Sequence, residues 1–372
     1  MFPDKLHRKL GMRHFSGGLR TLKEVKGLVD FSSNDYLGFA RDLQVGRGNS
    51  HGATGSRLIS GHTSLHEKIE KQIANFHNAD AALLFNSGYD ANVGMLACIA
   101  DRMDLIIYDS LVHASIRDGI QLSKAKAIKF HHNDLKHLKI LLDKFNGGDD
   151  RMVYVITESV FSMDGDQPEL KKMVQLINEY DNVRLILDEA HALGVIGNHG
   201  AGLSQLETVE QDIFARIITF GKGLGAHGAA VLGSKDLKNY LINFCRSFIY
   251  TTALPEHSLL AIELGYETLE HSDEPVRALQ NNIRTFNEMV LSLGLRLRFR
   301  ESETAIQTCV IPDNLTVQKA AEKLQAAGYD IRAIRSPTVP EGEERLRICL
   351  HSYNTTDQIK NMLTLLAKIL RA

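Results

Sequence analysis

The chain has 372 residues, 44% hydrophobic and 24% charged, with 43 Lys and Arg against 45 Asp and Glu and a formal net charge of -2. A disordered chain would carry fewer apolar residues or more net charge, and a collagen-like or linker chain far more than 29 Gly and 7 Pro. Near-neutral charge offers no global field for nucleic acid or an anionic membrane, and the length outgrows a single core.

In chain order, residues 1–30 interleave charged and apolar positions without the unbroken apolar stretch of a signal peptide, and read as an N-terminal arm. Through 31–255, short apolar runs at 81–85, 105–108, 152–156, 183–187, 216–220 and 229–232 have the length and Ile/Val content of buried strands. Helical spacing lies between them: Leu65, Ile69, Ile73 and Phe76 recur within 64–77, and 168–180 opens on Pro168, a residue suited to a first helical position. Strand alternating with helix predicts an α/β domain, a mostly parallel sheet covered on both faces. Past Pro255 the texture changes to a long helical stretch at 256–293, strand-like pieces at 295–300, 308–311 and 345–350, and helices at 316–327 and 356–371. These predict a smaller α+β domain over 256–372. Cys98, Cys245, Cys309 and Cys349 are scattered singly, which predicts a reduced, cytoplasmic setting without zinc or a disulfide framework.

Ligands of a parallel sheet bind outside the carboxyl ends of its strands, so the residues that end the apolar runs carry the chemistry. Asp188 follows Val183-Arg184-Leu185-Ile186-Leu187, where a buried carboxylate needs a cationic or proton-donating partner. A structural ion pair or a helix cap would supply one equally well. Lys222 stands at another strand end between Gly221 and Gly223, which leave its amine sterically open. If the two strands are neighbours, Asp188 and Lys222 bracket a space one aromatic ring wide. A buried Asp under a ring nitrogen and a lysine able to form a Schiff base are the two protein groups that pyridoxal 5'-phosphate requires. His113 is placed to stack on the ring, and His191 to meet its hydroxyl. Ser87, Gly88 and Tyr89, at a helix start, offer backbone N–H groups to a phosphate, with the Thr219 hydroxyl beside them.

Rival motifs fail on context. Gly223, Gly225 and Gly228 match GxGxxG but run into a strand-like AAVLG, whereas a dinucleotide fingerprint opens a helix and meets an acidic residue about 20 positions on. His62, His66 and His77 lack the Glu of a zinc helix and read as solvent-facing or capping residues, and His131-His132 as a polar loop. No GxSxG elbow surrounds Ser87 or Ser162. A binding module without turnover would need neither the open lysine nor the acid.

Phe31 to Gly38 (FSSNDYLG), Gly55-Ser56-Arg57 with Ser60-Gly61, Glu158 to Asp166 (ESVFSMDGD), Asp188-Glu189-Ala190-His191 and Thr219-Phe220-Gly221-Lys222-Gly223 together resemble the α-oxoamine synthases. These are fold-type I pyridoxal phosphate enzymes of the aminotransferase-like class, which condense an amino acid with an acyl thioester and release carbon dioxide. The resemblance implies a homodimer with shared active sites, with Lys222 as Schiff-base lysine, Asp188 as pyridinium partner, His113 as stacking base and His191 as ring-hydroxyl contact. It adds Ser162 and Thr252 to the cofactor contacts, the latter reaching the partner subunit. Arg335, in Arg335-Ser336-Pro337-Thr338-Val339-Pro340, is implied for the amino-acid carboxylate, with Asn34 and Thr338 at the substrate and Arg20, or else Arg13, at an acyl carboxylate. The Arg335 run points to the branch that joins L-alanine to a pimeloyl thioester on coenzyme A or a carrier protein. Ala192-Leu193-Gly194 after His191 instead resembles the aminoketobutyrate, aminolevulinate and sphingoid-base branches.

Overall fold

The computed structural model describes residues 2–15, 18–20, 22, 27–46, 50–145 and 151–371. Two units form: a larger one of Asn34–Gln280 with His351–Tyr353, and a smaller one of Met1–Ser33, Asn281–Leu350 and Asn354–Ala372. The smaller unit opens the chain with α1 (Asp4–Phe15) and β1 (Val29–Asp30). The larger unit runs through α2 (Phe39–Asp42), α3 (Ser64–Phe76), β2 (Ala81–Phe85), α4 (Gly88–Ile99), β3 (Leu105–Asp109), α5 (Ala114–Leu122), β4 (Lys126–Phe130) and α6 (Leu135–Phe145). It continues with β5 (Val153–Glu158), α7 (Leu170–Ile177), β6 (Val183–Asp188), α8 (Leu203–Leu206), β7 (Ala215–Thr219), β8 (Ala229–Gly233), α9 (Lys235–Phe244), α10 (Arg246–Ile249) and α11 (Glu256–His271). The division falls inside α12 (Glu274–Ser292), after which come β9 (Ile306–Val310), α13 (Asn314–Ala326), β10 (Tyr329–Asp330), β11 (Arg332–Ile334), β12 (Arg345–Cys349) and α14 (Thr356–Arg371).

The larger unit is built on a seven-stranded sheet of order β2-β8-β7-β6-β5-β3-β4. β8 is antiparallel to both neighbours, and the remaining pairs are parallel. Every residue of β2, β5 and β7 is buried, including Arg216 within β7 and Glu158 at the end of β5. On one face Ile106, Ile156, Ile186, Ile217 and Val231 pack with Ala91 and Met95 of α4. Where α5 crosses α4, a Cβ at Gly119 would lie 2.9 Å from the Asn92 carbonyl oxygen, so only glycine permits the approach.

Several predicted elements shift. Residues 256–293 form two helices, α11 and α12, parted at Ser272 and Asp273. Residues 295–300 contain a short 3-10 turn, Arg296–Arg298, with one bridge from Phe299 to Cys309. Pro168 stands just ahead of α7. The strand β4 is a sheet edge with Lys126, Ala127 and Lys129 exposed, so it shows no continuous apolar run. The division at Gln280 lies beyond the expected change at residue 255, because Tyr266 of α11 packs edge-on against Phe76, His77 and Phe220. Residues 29–30 are part of the smaller unit's structure, since β1 pairs in parallel with β10. That unit also holds the antiparallel sheet β11-β12-β9 with α13 and α14, the latter burying Ile359, Met362, Leu363 and Leu366. Among the described residues, no helix is long and apolar enough to cross a membrane, and no group of three or more His, Cys, Asp or Glu could hold a metal ion.

Candidate active site

β6 and β7 are hydrogen-bonded neighbours, with Asp188 opposite Ile217, so the two strand ends that carry Asp188 and Lys222 lie side by side. Asp188 is 5% exposed. Its Oδ1 accepts the Ala190 N–H at 2.9 Å and its Oδ2 accepts the Asn92 amide at 2.7 Å. Lys222 follows β7, and the glycine that matters beside it is Gly223. A Cβ there would lie 2.2 Å from the Leu193 carbonyl oxygen, whereas one at Gly221 would meet nothing closer than 3.6 Å. The glycine thus lets the Lys222 turn pass against the segment that follows His191.

A chain of hydrogen bonds joins His113 to Asp188. The Asn92 amide that donates to Asp188 also donates to Ser115 Oγ at 3.1 Å, and Ser115 Oγ stands 2.8 Å from His113 Nδ1. The Ser115 main-chain N–H also points at Nδ1, at 3.2 Å, which makes that nitrogen the acceptor and assigns the neutral ring's proton to Nε2. Burial lowers the His113 pKa, opposed by the Asp188 carboxylate and reinforced by the Lys222 ammonium. His191 is buried, with Nδ1 2.7 Å from the Tyr36 hydroxyl, and that hydroxyl also donates to Asn34 Oδ1 at 3.2 Å. Asn34, Tyr36 and His191 therefore form one connected set.

At the start of α4, Ser87 is the N-cap: its hydroxyl accepts the Asp90 N–H at 3.0 Å and donates to Asp90 Oδ2 at 2.7 Å. The Tyr89 hydroxyl is committed to Asp118. What remains for an anion is the open helix end, where first-turn N–H groups lack intrahelical partners. Thr219 borders it, since a Cβ at Gly88 would lie 3.4 Å from Thr219 Oγ1 and would narrow this cradle. Asn86, directly before Ser87, donates to Thr251 Oγ1 at 2.9 Å and to the Thr252 carbonyl at 2.8 Å, which brings Thr252 to the same turn. Ser162 is partly buried in the loop after β5. Arg13, Arg20, Arg335 and Thr338 belong to the smaller unit. Arg335 Nη1 donates to Gln318 Oε1 at 3.0 Å, its carbonyl accepts the Thr338 N–H at 2.8 Å, and Arg13 and Arg20 are exposed.

The donor set fits pyridoxal phosphate: a buried carboxylate, an adjacent lysine amine, two imidazoles held by hydrogen bonds, and a helix N-terminus beside a threonine hydroxyl. Asn92, Ser115 and Tyr36 were not singled out individually from the sequence, although Tyr36 lies inside the quoted FSSNDYLG run. The available signal was position: Ser115 stands two residues after His113, and Asn92 one helical turn after Gly88.

The reading of His131-His132 as a polar loop is corrected for His132. Its Nδ1 lies 2.9 Å from Asp109 Oδ1 and its Nε2 2.6 Å from Asp166 Oδ2. Asp109, fully buried, also accepts the Leu111 and Asn133 main-chain N–H groups, each at 2.8 Å. The imidazolium thus ties the turn that leads to His113 to the loop that carries Ser162. Burial disfavours its charge, but hydrogen bonds and charges from both carboxylates outweigh this and raise the pKa from 6.5 to about 10. His132→Gln should cost roughly 2 kcal/mol at neutral pH, less than for a fully buried pair because the imidazole is partly exposed. A raised folded-state pKa means this stabilisation is complete below 6.5 and is lost as pH rises through about 10. Urea unfolding of parent and variant should show a gap at neutral pH that closes in strong alkali.

Residues 26–366 match the sequence model of the family described as aminotransferase class I and II. The chain belongs to this family. It is 39% identical over 369 residues to an 8-amino-7-oxononanoate synthase of Emericella nidulans, covering 91% of this chain and 88% of that one. A solved 8-amino-7-oxononanoate synthase from Francisella tularensis superposes with a TM-score of 0.81 at 30% identity, covering 93% of this chain and 99% of that one. A serine palmitoyltransferase with pyridoxal phosphate gives 0.90 at 25% identity, covering 99% and 97%. The α-oxoamine synthase branch is what these proteins share, in agreement with the motifs above.

Proposed function

We propose that this chain is an 8-amino-7-oxononanoate synthase that condenses L-alanine with a pimeloyl thioester, releasing carbon dioxide and the free thiol, in the biotin pathway. The observation that carries the chemistry is the placement of Asp188 and Lys222 on adjacent strand ends, with His113 wired to Asp188 through Ser115 and Asn92. The choice of substrates is supported by relatives that bear that name over nearly the whole chain.

When bound, pyridoxal phosphate supplies an electron sink for the substrate's α-carbon. The chain's own groups hold and orient it. The Asp188 carboxylate, kept in place by the Asn92 amide and the Ala190 N–H, holds a proton at the ring nitrogen. Lys222 would carry the cofactor through its amine and would serve as the base that moves a proton at the α-carbon. His113 would cover the ring face of the bound cofactor, and His191, held by Tyr36, would meet its hydroxyl. The N–H groups at the start of α4, with Ser87, Gly88 and Tyr89, bind the phosphate alongside the Thr219 hydroxyl, and Ser162 adds a contact. Thr252 completes the phosphate site of the partner subunit in a homodimer. Arg335, whose guanidinium fork matches a carboxylate, is assigned the carboxylate of the amino acid; Asn34 and Thr338 are assigned to the substrate, and Arg20 or Arg13 to the far carboxylate of the acyl chain. We place the enzyme in the cytoplasm, where its four free cysteines stay reduced.

Thiol release should be followed with L-alanine, glycine and L-serine, each offered with pimeloyl, acetyl and palmitoyl thioesters. Release with L-alanine and the pimeloyl thioester is expected; release confined to L-serine and the palmitoyl thioester would overturn the assignment.

A further inference from the structure

Glu158 ends β5 as Asp188 ends β6, and the two are direct partners in the parallel register, so their side chains leave the sheet on the same face. Glu158 is 4% exposed, and its Oε1 accepts the His113 main-chain N–H at 2.5 Å. The roles assigned above use His113 and Asp188 but leave this buried acid without a task. Its position closes a ring: Glu158 holds the main chain of His113, whose imidazole runs through Ser115 and Asn92 to Asp188, the register partner of Glu158.

We propose that Glu158 is a positioning residue of the reaction, fixing the His113 turn against the strand pair β5–β6 so that the stacking imidazole and Asp188 move as one unit. The inference rests on the reading of His113 and Asp188 given above. Two carboxylates side by side in a buried floor would repel, so the arrangement favours a proton on one of them. The groups that face Glu158 are Asp188 on β6, the His113 main chain and Asp109 at the end of β3, and Lys222 after β7. Burial first, then the Asp188 charge, push its pKa from 4.5 to about 8, while the His113 N–H and the Lys222 ammonium pull the other way. The neutral acid leaves one negative charge in the floor, on Asp188, where the proposed pyridinium partner needs it. Above that pKa a second charge appears beside Asp188 and the electrostatics of the site change.

Glu158→Gln keeps an oxygen for the His113 N–H and cannot ionise; Glu158→Ala removes the hold. In the cofactor-free protein, infrared difference spectra between about pH 6 and about pH 10 should show a protonated-carboxyl band that is lost with rising pH and is missing from Glu158→Gln. In the loaded enzyme, Glu158→Ala should lower kcat about 10²-fold with a KM for the amino acid within a few-fold of the parent, as expected when a reacting geometry loosens. Glu158→Gln should recover most of that loss and move the alkaline limb of the kcat profile upward. Identical infrared titrations in the parent and Glu158→Gln, or a Glu158→Ala enzyme with unchanged kcat and alkaline limb, would overturn the proposal. The infrared arm needs neither cofactor nor turnover, so it separates failure of this inference from failure of the assigned activity. If Glu158→Ala does not fold, Glu158→Gln still decides it through that arm and the pH profile.

Discussion

Replacing Lys222 with alanine should reduce kcat by at least about 10³-fold, the upper part of the range for removing a positioned proton-transfer group. Its amine is assigned two tasks, carrying the cofactor and moving the α-proton, and its charge acts on both His113 and Glu158 beside Asp188. The fold should survive, because Lys222 lies in a turn outside β7 and not in its buried run. Circular dichroism and urea midpoints should therefore match the parent while turnover collapses. Exogenous small amines added to the variant should restore part of the proton-transfer rate, as they replace the lost base without the lost tether. A Lys222→Ala enzyme that keeps more than about a tenth of its kcat would remove the lysine from the chemistry.

Asp188→Asn should lower kcat by about 10²- to 10⁴-fold while changing stability by about 1 kcal/mol or less. The replacement is nearly the same size, and its oxygen can still accept the Ala190 N–H. Among the described residues Asn92 Oδ1 is buried without a hydrogen-bond partner, so a turn of the Asn92 amide can present it to the new donor, giving up the bond that amide donates to Ser115. The larger loss is the negative charge. Asp188 raises the pKa of both His113 and Glu158, so its loss should lower both. The alkaline limb ascribed to Glu158 should then begin at lower pH in Asp188→Asn, a coupling that a purely steric role for Asp188 would not produce.

The strand-end residues were legible because an abrupt change from apolar to polar marks the carboxyl edge of a parallel sheet. Asp188, Lys222 and His113 each follow such a run, and the structure makes β6 and β7, the strands that lead to the first two, direct neighbours, which the sequence alone leaves as a condition. The residues that hold them were not legible, because their partners are remote in sequence: Asn92 meets Asp188 across 96 positions and Tyr36 meets His191 across 155. His132 was misread for the same reason, its carboxylates standing 23 and 34 positions away. Gly223 carried a signal whose cause differed. Its flexibility suggested an open lysine, whereas the observed constraint is the Leu193 carbonyl pressed against it. The boundary expected at residue 255 reflected a change in texture, but the packing of Tyr266 assigns α11 to the larger unit.

The adjoining ends of β6 and β7 are assigned here as the seat of a pyridoxal phosphate carried by Lys222. The protein should be loaded with the cofactor, reduced with borohydride, digested and mapped by mass spectrometry. One stoichiometric pyridoxyl adduct is expected on the peptide that contains Lys222, lost in Lys222→Ala and retained in Asp188→Asn. An adduct on a different lysine, or none in a protein that still turns over, would contradict this assignment.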